Sequence, residues 1–285
     1  MKQQPITPER HLSLATNSGQ MIVQLSKNID IWIHQKKMLS LYFPQMIELI
    51  ENNILYEKEE RAKAISKIDA DLKFMNDILS FAIHISFLYC DLAASIRHYL
   101  SAELEYEKRY AVKQLNVIMI EGYKRIYGFS KDNIKDSFWI KSLKPICESI
   151  SPEYTKKYGD FTNMIIALGE CGIFDKDNRD IVVHYNSNVE KVYELLILLN
   201  ADTECIKVAK FLSFLEELIR FCSEIIVLIG QEAESQKKHY STQIEKISNI
   251  LQSNPIISDE QKIQYKEMVK KIEECFTSIE TLIFK

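Results

Sequence analysis

Two residues in the stretch DKDNRDIVVHYN, Asp175 to Asn186, have side chains suited to chemistry at a phosphate: Arg179 and His184. A histidine of ordinary pKa, near ~6.5, can take or give a proton around neutral pH. An arginine fork can hold phosphate oxygens and stabilise the charge that develops on them. Together they suit metal-free cleavage of RNA, in which a 2′-hydroxyl attacks its own adjacent phosphate. A base removes the hydroxyl proton and an acid protonates the leaving oxygen. His184 is then the candidate acid or base, and Arg179 the phosphate clamp. Asn178, Asp180 and Tyr185 flank the pair and are candidate substrate contacts. Arg109 and Lys113, with Lys108, Lys124 and Arg125, are candidates for the electrostatic approach of a polyanion.

The spacing sets a geometric condition. Five residues along an ideal helix give about 7.5 Å of rise and about 140° of rotation. Arg179 and His184 cannot form one compact site on a regular helix. Either the helix bends there, or a second subunit completes the site. The competing reading is structural, with Arg179 paired to Asp175 and His184 at a helix end.

R-D-I-V-V-H resembles the Arg–x4–6–His signature of the HEPN superfamily, in which arginine is followed by a polar residue, three variable residues and histidine. Asn178 before it and Tyr185 after it fit that pattern. Asp180 stands where asparagine is commonest, which adds a negative charge beside the phosphate site. The resemblance covers roughly residues 60 to 230. It implies an up-and-down helical bundle, a homodimer in which two motifs face each other, and ribonuclease or RNA-binding activity of toxin–antitoxin or defence type.

The elements that must position these residues read as helices throughout. The chain has 285 residues, of which 46% are hydrophobic, with seven glycines and six prolines. So little turn punctuation in so apolar a chain favours a few long helices. The first twenty or so residues, with Pro5, Pro8 and Gly19, read as a loose arm. A helix follows from Ile22 to about Tyr56, with Pro44 expected to kink or divide it. Lys58 to Leu100 contains neither Gly nor Pro and becomes apolar on most sides after Asp77, as a central helix does. A helix from about Ala102 to Ile126 should stop at Gly128. SKDNIKDSFWIKSLKPI reads as a short helix ended by Pro145. Ser151 and Pro152 open another that ends at Gly169 and Gly172. The next runs from about Asp202 to Glu232. Near the C-terminus, Tyr240, Ile244, Ile247 and Leu251 form one apolar stripe. Tyr265, Met268, Ile272, Cys275, Ile279 and Leu282 form a second, at heptad spacing, with Pro255 between the two. This predicts a helical hairpin.

Several classes are excluded. No histidine has a glutamate three residues before it, so a di-iron carboxylate bundle does not fit. No GxxxxGK[ST], GxGxxG, GxSxG, HExxH or CxxC occurs. The six cysteines are scattered and read as reduced buried thiols. His84, inside an apolar run, reads as a hydrogen-bonded core histidine, and His98 as a surface or pocket residue. The net charge is −4. The balance shifts along the chain, from nine Lys/Arg against six Asp/Glu over Ser101–Pro145 to eight against fourteen over Ile146–Gly230. Phe74–Ile96 and Ile206–Ile229 are apolar enough to test as membrane spans, but both carry charged residues and read as core helices.

The expectation is an all-α protein: residues 1–59 an N-terminal arm and helix, 60–230 a HEPN-like bundle, and 231–285 a C-terminal hairpin. It is expected to be cytoplasmic, homodimeric and free of cofactor or metal. Its expected function is a metal-independent endoribonuclease or RNA-binding module. The alternative is a non-catalytic scaffold that binds a protein through the C-terminal stripes.

Overall fold

The computed structural model describes residues 8–51, 58–174 and 201–253, together with residues 190, 193, 194, 258, 260, 263, 266, 267 and 270. Among the described residues every regular element is helical and no strand occurs. The elements are α1 (Pro8–Glu51), α2 (Lys58–Ser101), α3 (Glu105–Ile126), α4 (Lys131–Lys135), a π-helical turn (Trp139–Leu143), α5 (Lys144–Ile150), α6 (Pro152–Glu170) and α7 (Ala201–Ser253).

Local sequence explains most of the ends. α3 stops where the Tyr127 and Gly128 N–H groups both donate to the Tyr123 carbonyl, at 2.9 and 3.3 Å. Gly128 then turns the chain at φ +95°, a region closed to most side chains. Ser130 caps α4 by accepting from Asn133 N, and Ser151 caps α6 by accepting from Tyr154 N. Pro152 follows at a position whose N–H has no helical partner to lose.

Three expectations are corrected. The loose arm expected over the first twenty or so residues is helical from Pro8 on, because α1 begins there, where a missing N–H costs nothing. Pro44 does not divide α1. It lies exposed inside the helix, which continues to Glu51, so of the two expected effects, a kink or a division, the division does not occur. Pro145 does not end a helix. It lies in the first turn of α5, the one place where its ring is tolerated. Tyr265, Met268, Ile272, Cys275, Ile279 and Leu282, the stripe of the second arm of the expected C-terminal hairpin, lie outside the described residues, while α7 runs past Gly230 to Ser253 without a break.

The chain divides into two compact units, one of Met1–Ile29 and Ser80–Cys222, the other of Asp30–Leu79 and Ser223–Lys285. In the second unit Trp32, Leu39, Met75, Ile78, Leu79, Ile225 and Ile226 are buried. Arg61 Nη1 donates to the Glu51 carbonyl at 3.0 Å, satisfying an acceptor at the end of α1.

The first unit holds an aromatic core. Trp139, fully buried, packs edge-on to Phe81 and Tyr127 and lies within 5.7 Å of Tyr158 and 6.4 Å of Phe214. Its indole N–H donates to Thr162 Oγ1 at 2.9 Å, and the Thr162 hydroxyl donates onward to the Tyr158 carbonyl at 2.7 Å. α2 and α3 approach closely because Gly122 faces Leu88, where a Cβ would collide with the leucine side chain. Along α7, Cys205, Val208, Phe211, Leu212, Leu215, Leu218, Ile219 and Cys222 are buried at three- and four-residue spacing. α2 is long and apolar enough to cross a membrane, and 56% of its most apolar window is buried inside the protein.

Candidate functional site

Asn178, Arg179, Asp180, His184 and Tyr185 lie outside the described residues. What the structure supplies is the frame on either side of them. Phe174, the last described residue before the motif, is buried. Its ring lies 4.2 Å from Tyr123 of α3, 5.3 Å from Phe211 of α7 and 6.3 Å from Phe129. Described chain resumes continuously at Ala201, ten residues before Phe211, or about 15 Å along α7. The described chain on either side of the motif is held in place, Phe174 by aromatic packing on Tyr123 and Phe211, and the start of α7 by the buried Glu204 and Cys205.

Glu204 is the residue that sequence reading missed. It is buried in the first described turn of α7. Its Oε1 pairs with Lys207 Nζ at 2.7 Å, and its buried Oε2 has no hydrogen-bond partner among the described residues. A glutamate in a polar-looking first turn carries no sequence signal of burial, so only packing could reveal it.

The basic residues divide along α3. Lys124 and Arg125 are exposed in the last turn of the helix. Arg109 and Lys113 lie fourteen and ten residues before Tyr123, about 21 and 15 Å up the helix. Arg109 Nε is 3.4 Å from Glu105 Oε1, with both side chains substantially solvated. An exposed i,i+4 pair of this kind is worth only about 0.3–0.5 kcal/mol, so an anionic ligand can compete for the guanidinium. Lys113 follows Arg109 one turn on and is half-buried.

His84 on α2 is half-buried, and its enclosed Nε2 has no hydrogen-bond partner among the described residues. Burial first, and the Arg125 guanidinium second, hold its pKa below the ordinary histidine value. It is therefore neutral at pH 7. His98 is exposed, with its ring edge-on to Tyr110 at 6.4 Å. Tyr123 is pushed up to about 12 by burial and then by Tyr127 and Glu170, so it is a neutral packing group and not a base. Cys147 is likewise pushed up to about 12 by burial, and Cys222 well above its usual value, which makes both thiols poor nucleophiles. Cys90, Cys147, Cys171, Cys205 and Cys222 are all free. Among the described residues no group of three His, Cys, Asp or Glu side chains is placed to hold a metal ion.

Comparison with known proteins adds no relative: no protein-family model, curated protein or solved structure matches this chain.

Proposed function

We propose that this chain is a metal-independent endoribonuclease of the HEPN type, acting as a homodimer through Arg179 and His184. The observation that carries the reading is the R-D-I-V-V-H-Y sequence within an all-helical chain. It is supported by the aromatic anchor at Phe174, which ties the chain to Tyr123 and Phe211 immediately before the motif. In this reading His184 removes the proton from the attacking 2′-hydroxyl or returns one to the leaving 5′-oxygen. Arg179 stabilises the charge on the non-bridging phosphate oxygens. The five-residue spacing calls for a bend or a second copy of the motif, which a homodimer supplies.

The test is RNA cleavage by purified protein in EDTA, comparing wild type with His184→Ala and Arg179→Ala at matched oligomeric state. Cleavage by wild type, leaving 2′,3′-cyclic phosphate ends and reduced at least about a hundredfold in each variant, is the expected result. A wild-type protein that cleaves no RNA of several types removes the nuclease reading. The second reading, a protein-binding scaffold, is favoured by Phe87, which is large and apolar yet exposed on α2. A protein inert towards RNA in which Phe87→Ser abolishes capture of a defined protein partner would establish it.

A further inference from the structure

We draw no further inference here: the strongest candidate, the Glu204–Lys207 side-chain cluster in the first turns of α7, where the buried Glu204 Oε2 has no hydrogen-bond partner among the described residues, carries nothing because nothing in the structure shows what faces that oxygen.

Discussion

Trp139 shows how a single buried group is held. The indole has one donor, and Thr162 Oγ1 receives it at 2.9 Å inside the aromatic core. Thr162→Val keeps the shape of the side chain and removes the acceptor. The variant should lose about 1–3 kcal/mol of unfolding free energy, the cost of leaving a buried N–H unpaired, measured by urea denaturation. A loss below about 0.5 kcal/mol would mean that the indole finds another acceptor. At this scale the sequence was least informative. Nothing in SFWIK or DFTNM marks Trp139 and Thr162 as partners across 23 residues. Nor does ADTEC mark Glu204 as buried. Such pairings depend on which helices meet, and that is decided by the whole core. By contrast, the candidate chemistry of Arg179 and His184 is legible from residue type alone, because proton transfer and charge stabilisation belong to the side chains themselves.

The glycines of α3 to α6 separate three physical roles within single elements. A Cβ at Gly128 would meet the Asn133 carbonyl carbon and Ile134 nitrogen, each at 2.9 Å, on a backbone at φ +95°. Backbone atoms cannot move aside cheaply, so Gly128→Ala should cost about 2 kcal/mol or more. Gly172 also has positive φ, at +70°, but faces open space, so Gly172→Ala should cost only about 1 kcal/mol. Gly159 lies inside α6 with nothing near its Cβ position, so Gly159→Ala should stabilise by about 0.5–1 kcal/mol. Thermal melting of the three variants checks the order, and a stabilising Gly128→Ala would refute the close-approach argument. These elements were largely readable in advance. Ser151, Pro152 and Gly128 mark helix ends by local rules, and the observed ends agree with them. Pro145 and Pro8 were misread because a proline at the first turn of a helix and one that stops a helix look alike in sequence. Only the continuation of the chain distinguishes them.

On the scale of the whole molecule, burial of ionisable groups ties folding to pH. Tyr89, Tyr123 and Tyr158 are each pushed from 10 to about 12, in every case chiefly by burial. The raised value belongs to the folded state, so the unfolded chain releases its tyrosine protons first as the pH rises. Their contribution to stability is complete below pH 10 and is lost as the pH climbs towards 12. Far-ultraviolet circular dichroism and tyrosinate absorbance, followed together, should show cooperative alkaline unfolding in that window. Tyrosine ionisation well below the loss of helix would show that these hydroxyls reach solvent in the fold. His84 acts at the other end of the scale. Its folded pKa is depressed, so the unfolded state binds the proton more readily, and the stability present above about pH 6.5 falls as the solution is acidified.

By itself the sequence determined the helical class, the positions of most helix ends and the identity of the residues suited to phosphate chemistry. It did so because periodicity, capping and side-chain acidity are properties of a residue and its near neighbours. Tertiary structure alone decided that Phe174 is clamped between Tyr123 and Phe211. It also decided that α7 runs through Gly230 to Ser253, and that Tyr106 and Tyr110 remain in water while equally aromatic Tyr123 and Tyr158 are buried. The physical reason is that burial is allotted by competition among all the apolar faces for a limited interior. A tyrosine's spacing says which side of a helix it occupies, and only the packed molecule says whether another helix covers that side.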